Sequence, residues 1–240
     1  MEAKLEKRLK ILTSMCDNTE RLSIPYTFAL FMDLAAEHGT NIGVGADDLA
    51  EKGHFWLTVK TKILFHRRPK MMSEITASTW PEVPGRMRCN RDYMLSDENG
   101  ILVEGKTEWA MIDMQSGRLH KTIDAYPEEL EHITYKVCDT PFLRISEDFE
   151  ECEEISAYTV RSTDIDLGQH MNNAAYATVL FGAFSCKEIT ELDPKEVEIV
   201  FRSPSYEGET LSIRRRSTES GIEIGMIKAD GKAAAVAFIG

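Results

Sequence analysis

The sequence predicts an α+β chain built as a tandem: two successive units, each a central helix wrapped by a curved antiparallel sheet. Three observations carry this expectation. Residues 25–38 read as a helix in which Phe28, Phe31, Met32, Leu34, Ala35 and Ala36 give an apolar surface wider than one stripe, as in a helix surrounded by other structure. Four β-rich runs follow, at 55–64, 72–80, 86–95 and 102–113, separated by turn signals at Arg68-Pro69, 81–85, 97–100 and 115–117. The same order then returns in the second half.

There, a strand over 155–163 places Ile155, Ala157, Thr159 and Arg161 on one face and Ser156, Tyr158, Val160 and Ser162 on the other. A helix over 173–186 follows, capped by Asn172 or Asn173, with Tyr176, Val179, Leu180, Ala183 and Phe184 at helical spacing. Strands are expected at 197–201, 210–218, 222–229 and 233–239. The two helix entries also correspond, 12–21 with 160–169, each a β-like run giving way to a polar turn. The first copy offers Asp17 and Asn18 but no histidine, so chemistry is expected in the second half only. Between the units, a stretch with Pro127, Pro141 and many acids reads as a long connection, helical around 128–133. The expected division is a first unit over 1–125, a linker over 126–153 and a second unit over 154–240.

Composition narrows the class. A chain of 240 residues with 42% hydrophobic content can bury a core as one large or two small domains. Its charged start lacks the apolar run of a secretory signal, and no stretch is apolar and long enough to cross a bilayer, so a cytoplasmic protein without membrane attachment is expected. The formal net charge of −12 argues against nucleic-acid or anionic-membrane binding, which need positive potential. Five scattered cysteines without a Cys-x-x-Cys pair argue against disulfides and a zinc site, and no metal or cofactor is expected.

The chemistry concentrates in Asp164-Ile165-Asp166-Leu167-Gly168-Gln169-His170-Met171-Asn172-Asn173, where a strand gives way to a helix start. Exposed amides and the positive end of a helix dipole can hold a carbonyl oxygen that is becoming negative. Asp166 and His170 supply a carboxylate and an imidazole beside them. A calcium loop is excluded because Ala175 stands where such a loop carries its glutamate. Gly43-Val44-Gly45 lacks the third glycine of a dinucleotide site, and no serine sits in Gly-x-Ser-x-Gly.

The order Asp-x-x-x-His-x-Asn-Asn-x-x-Tyr, from Asp166 to Tyr176, resembles the signature of the acyl-acyl carrier protein thioesterases of plants and bacteria. Trp56 ahead of a strand, Thr79-Trp80-Pro81, Arg91-Asp92-Tyr93 and Trp109 to Asp113 resemble that family too, so the likeness covers most of the chain. It implies a double hotdog fold and hydrolysis of the thioester joining a fatty acid to acyl carrier protein. Asp166, His170 and Asn172 would then be catalytic. The acyl chain would lie in the first unit along the 28–36 helix, with Leu34, Trp56 and Trp80 in its wall. An acyl-CoA substrate, or a non-catalytic acyl-binding role, is the alternative. A double hotdog holds within one chain the pairing that single hotdogs obtain by dimerising, so a monomer and a homodimer both fit.

Two family positions differ. Gly168 stands where the family's Asp-x-Asn-x-His turn has asparagine, and anchoring on Gly208-Glu209-Thr210-Leu211 puts Pro204, followed by Ser205, where a catalytic acid is usual. Asp164, Gln169 or, through a bulge, Glu207 are the candidate substitutes. Because carrier proteins are acidic, a local basic face is also expected; screening over about 8 Å lets one outweigh distant acids. Arg67-Arg68-Pro69-Lys70, Arg86 with Arg88 and Arg91, and Arg214-Arg215-Arg216 are the candidates.

Overall fold

The computed structural model describes residues 2–240. The first unit contains strand β1 (Leu5–Lys10), helix α1 (Ile24–Asn41), short helix α2 (Ala46–Ala50), and strands β2 (His54–Phe65), β3 (Glu74–Pro81), β4 (Cys89–Asp97), β5 (Gly100–Asp113) and β6 (Leu119–His120). The second contains β7 (Glu153–Thr159), α3 (Asn173–Gly182), α4 (Cys186–Leu192), β8 (Glu196–Phe201), β9 (Thr210–Ser217), β10 (Ile222–Ile227) and β11 (Ala233–Ile239). All strands join one antiparallel sheet in the order β1-β3-β4-β5-β2-β8-β11-β10-β9-β7, with β6 beside β5. Each half has the same internal order, and the halves meet where β2 pairs with β8.

Strand alternation divides the sheet into two faces. Ile63, Phe65, Ile75, Ala77, Tyr93, Val103, Val197 and Ile199 point inward and share one core with Phe28, Phe31, Leu34, Tyr176 and Leu180 of the helices. Phe31 stacks on Tyr93 with ring centroids 4.3 Å apart. Gly105 makes that approach possible, since a Cβ there would lie 2.2 Å from the Phe31 ring. Helix α3 is shorter than expected. After Gly182 the chain turns and restarts as α4, where Ser185 Oγ accepts from Glu188 N–H and the Glu188 carboxylate accepts from Ser185 N–H at 2.8 Å.

The connection lies over the outer face and is not helical around 128–133, where only a turn at 128–129 forms. Its backbone groups are satisfied by side chains of the sheet instead of by helical bonds. Trp80 Nε1 donates to Tyr135 O at 3.2 Å, Lys106 Nζ donates to Thr140 O, and Lys62 Nζ donates to Pro141 O at 2.6 Å. Leu143 N–H donates to the Glu198 carboxylate at 2.9 Å, while Arg214 and Arg216 bind the carbonyls of residues 148–150. From the connection, Ile145 and Phe149 are buried against β8 and β11, and Leu130 is buried against Ile42 and Val44. The connection is a strap bolted across the seam between the halves.

Beneath the strap lie buried charges. Lys62 pairs with Glu196 at 2.8 Å and with Glu198 at 3.2 Å. Burial opposes the Lys62 charge, but the two carboxylates outweigh it and hold its pKa above the ordinary value. Removing one partner of such a pair typically costs about 3 kcal/mol or more because the other charge stays buried. Lys62→Met is therefore expected to lower unfolding free energy by about 3 kcal/mol in denaturant titrations, and an unchanged midpoint would refute this.

Asp92 is fully buried and neither carboxylate oxygen has a hydrogen-bond partner among the described residues. Burial first and the Glu82 carboxylate second push its pKa up to about 7. The folded state thus binds this proton more tightly than the unfolded chain. The contribution is fully favourable below the unfolded value and is lost as pH rises through about 7. Asp92→Asn should gain stability relative to the parent protein as pH is raised from about 5 to about 8, read as the difference in unfolding midpoints; a difference independent of pH counts against it.

Candidate active site

The second helix entry begins at a 3-10 turn, Ser162–Asp164, and ends at Asn172, the N-cap of α3. Ile165 and Met171 form a bridge that pinches the loop, with Asp166 N–H donating to His170 O at 3.1 Å and Asn172 N–H to Asp164 O at 2.8 Å. Inside the pinch, Gly168 N–H donates to Asp166 Oδ1 at 2.8 Å and Gln169 takes a left-handed φ of 60°. This fold of the backbone brings Asp166 and His170 side by side, both half-buried. Their Oδ1 and Nδ1 atoms are 3.9 Å apart, and Met171 O lies 3.5 Å from the same nitrogen. Both oxygens lie on the Nδ1 side of the ring.

Asn172 Oδ1 accepts from Ala174 N–H at 2.7 Å, so capping occupies its oxygen and leaves its amide N–H groups outside that bond. The loop is clamped from behind by the β8–β9 connection. Met171 N–H donates to Ser205 O at 2.8 Å, and Tyr176 Oη donates to the fully buried Ser205 Oγ at 3.0 Å. Burial raises the Tyr176 pKa, keeping the hydroxyl a neutral donor.

The substitute acids take other places. Asp164 Oδ2 is committed to Tyr158 Oη at 2.9 Å and Arg161 N–H at 2.8 Å, and Gln169 is exposed. Residues 202–209 form an irregular loop instead of a strand, so face alternation does not govern Glu207. The carboxylate that folds back is Glu209, accepting from Tyr206 N–H at 3.1 Å and pairing with Lys228 at 3.0 Å; Lys228 also donates to Pro204 O at 2.7 Å. Sequence reasoning missed Glu209 and Lys228, because this contact depends on the turn at Gly208 and on β10.

The first helix entry repeats the loop. A 3-10 turn (Thr13–Met15) precedes a Cys16–Leu22 bridge, Thr19 N–H donates to Asp17 Oδ1 at 2.9 Å, Glu20 has a φ of 57°, and Ser23 caps α1. Asp17 therefore corresponds to Asp166, Thr19 to Gly168 and Arg21 to His170. The expected match of 12–21 with 160–169 is one residue out of register, since it would set Asp17 against Ile165. Leu22 N–H donates to Pro69 O at 2.8 Å as Met171 N–H does to Ser205 O, which makes Arg68 the counterpart of Pro204.

The wall residues separate. Leu34 is buried in the shared core beside Phe31. Trp56 is half-buried on the α1 side, near Trp109 and Tyr126, and its Nε1 donates to Val44 O at 2.9 Å. Trp80 points to the opposite face, away from α1, because it follows Thr79 on β3; there it lies against Tyr135 of the strap. The arginine clusters are largely spent inside the protein: Arg68 on Asp17, Arg67 on Asp97, Arg91 on His38, Arg88 near Glu108, and Arg214 to Arg216 on the strap, Glu153 and Glu223.

Two sheet-wrapped helices joined through β2 and β8, with one helix entry carrying a free carboxylate and imidazole, define a double hotdog protein. Residues 2–130 match the acyl-ACP thioesterase N-terminal domain and residues 147–237 the acyl-ACP thioesterase C-terminal domain. The chain belongs to the acyl-ACP thioesterase family. It is 24% identical over 214 residues to the acyl-[acyl-carrier-protein] hydrolase FATB3, chloroplastic, of Cuphea viscosissima, covering 83% of this chain and 48% of that protein. It is also 24% identical over 169 residues to the oleoyl-acyl carrier protein thioesterase 2, chloroplastic, of Arabidopsis thaliana, covering 61% and 45%. The chain thus spans about half the length of the curated relatives it matches. Among solved structures, an acyl-ACP thioesterase from Bacteroides thetaiotaomicron aligns with a TM-score of 0.83 at 18% identity, covering 99% of this chain and 97% of the other. The 12:0-ACP thioesterase from Umbellularia californica aligns with a TM-score of 0.83 at 17% identity, covering 100% and 97%. No helix among the described residues is long and apolar enough to cross a membrane.

Asn172→Ala removes the α3 cap and is expected to cost about 1 kcal/mol in unfolding free energy; a variant as stable as the parent would show that the cap bond does not support the loop.

Proposed function

We propose that this chain hydrolyses the thioester of a fatty acyl group carried by acyl carrier protein, releasing the free fatty acid. The observation that carries the reading is the placement of Asp166 beside His170 at the entry to α3, with no cation within ion-pair distance of the carboxylate among the described residues. Asp166 holds the imidazole by its Nδ1 side. Nε2 takes a proton from water as the water oxygen bonds to the thioester carbon. The carbonyl oxygen becomes negative and is met by donors at the start of α3, the Asn173 N–H and the Asn172 side-chain amide. The carbon–sulfur bond then breaks, and the imidazolium returns its proton to the departing thiolate. Thiolates leave readily, so this last step makes a mild demand.

Family membership and the names of the relatives support acyl carrier protein as the carrier. The 48% coverage of the first of those relatives leaves the substrate to be tested on this chain itself. The decisive measurement is steady-state hydrolysis of acyl-carrier-protein and acyl-CoA panels by the parent protein and two variants. His170→Ala and Asp166→Asn are each expected to lower kcat at least tenfold, within the roughly 100- to 10,000-fold range of general acid–base assistance. Parent rates in both variants would overturn the assignment, and a preference for CoA substrates would replace the carrier.

A further inference from the structure

The two helix entries are a controlled comparison within one chain: the same backbone loop with its carboxylate treated in opposite ways. In the first half, Asp17 Oδ1 accepts from both the N–H and the hydroxyl of Thr19, and its Oδ2 is paired with Arg68. Arg68 itself is 7% exposed and also reaches Thr19 Oγ1 at 3.2 Å. Burial opposes the Asp17 charge, but Thr19 and Arg68 outweigh it and hold the carboxyl below the usual range. Both Asp17 oxygens are thereby engaged, Oδ1 twice and Oδ2 by the guanidinium. In the second half Gly168 takes the place of Thr19 and Pro204 that of Arg68, and Asp166 keeps only the Gly168 N–H bond.

Gly168 does more than withhold a hydroxyl. A Cβ at this position would lie 2.9 Å from His170 Nε2, 3.1 Å from His170 Cε1 and 3.0 Å from Asp166 Oδ1. Those separations are tighter than carbon tolerates next to ring atoms, so any side chain at 168 moves the imidazole or the carboxylate. The His170 ring occupies the space that a residue with a Cβ would claim. Pro204 likewise has no side-chain charge to offer Asp166, and the nearby Lys228 is held by Glu209 and by Pro204 O.

We propose that Gly168 and Pro204 are positioning residues of the site: by withholding the hydroxyl, the Cβ and the guanidinium that tie down the equivalent carboxylate in the first half, they leave Asp166 free to hold the His170 imidazole directly. The inference rests on the hydrolase reading above.

The test installs the first-half arrangement in the second half. Gly168→Thr, Pro204→Arg and the double variant place at Asp166 a constellation that the same loop already carries at Asp17, so the fold has a precedent for it; thermal unfolding confirms that each variant is intact. The double variant is expected to lose roughly 100-fold in kcat with KM changed less than about threefold. A purely structural role would move KM together with kcat or lower the unfolding midpoint, and that result, or parent kcat in folded single and double variants, overturns the proposal. Loss of activity in His170→Ala alongside full activity in the double variant would overturn this inference alone. Full activity in His170→Ala would overturn the hydrolase reading beneath it.

Discussion

The arrangement depends first on a charge pair at the centre of the sheet. Lys62 of β2 lies directly opposite Glu198 of β8, and both side chains are almost wholly buried on the outer face. The interval that separates Lys62 from Glu198 also separates Pro69 from Ser205, so these are the same position in the two halves. A residue that meets its own counterpart across an antiparallel ladder sits on the pseudo-twofold axis. Two identical subunits would be forced to place like charges there, face to face, whereas a fused chain can place opposite ones. The pair sets the register of β2 against β8, and a one-residue slip would turn one of the two charges into the helix-facing core and leave the other unpaired.

The same pair makes the strap obligatory. A buried ion pair needs its remaining lone pairs and protons satisfied, and Pro141 O and Leu143 N–H do this from the connection. Phe149 and Ile145 then bury the outer surface of β8, β10 and β11, and Arg214 and Arg216 secure the strap's far end. Arg214 and Arg216 are thus taken up by carbonyls of the strap, whereas Arg67, Arg68, Arg88 and Arg91 face Asp97, Asp17, Glu108 and His38 within the first half.

Much of this was legible in the residues, and what was not has physical causes. The α1 helix and the long strands announce themselves because their apolar periodicity is strong, and the cap at Asn172 is local chemistry. Strand β1 escaped because Glu6, Lys7, Arg8 and Lys10 give it the charged look of a solvated tail, although charge is how an edge strand avoids pairing with other chains. The strap looked partly helical around Glu128 because its real hydrogen-bond partners are distant in sequence. Alternation along β3 gives two faces but not which one is inner; Ile75 and Ala77 take the inner one, which turns Trp80 outward. The Asp166 and His170 neighbours were visible as a motif, but the loop register of the first half was not, because Arg21 and Arg68 bear no likeness to His170 and Pro204.

That unlikeness is itself informative about what fusion permits. Each loop must close between a 3-10 turn and a helix cap, and a carboxylate at its second position stabilises the turn by accepting the N–H two residues on. Both halves keep that bond. What they do with the remaining oxygens is unconstrained by the turn. In the first half the oxygens brace the β2–β3 connection through Arg68, converting a potential site into a structural joint. In the second half no charge is used: the Met171 N–H bond to Ser205 O, which the first half shares as Leu22 N–H to Pro69 O, is joined by Tyr176 Oη to Ser205 Oγ. With the joint made by neutral hydrogen bonds, Asp166 keeps one oxygen on the turn and has no arginine competing with His170 for the rest.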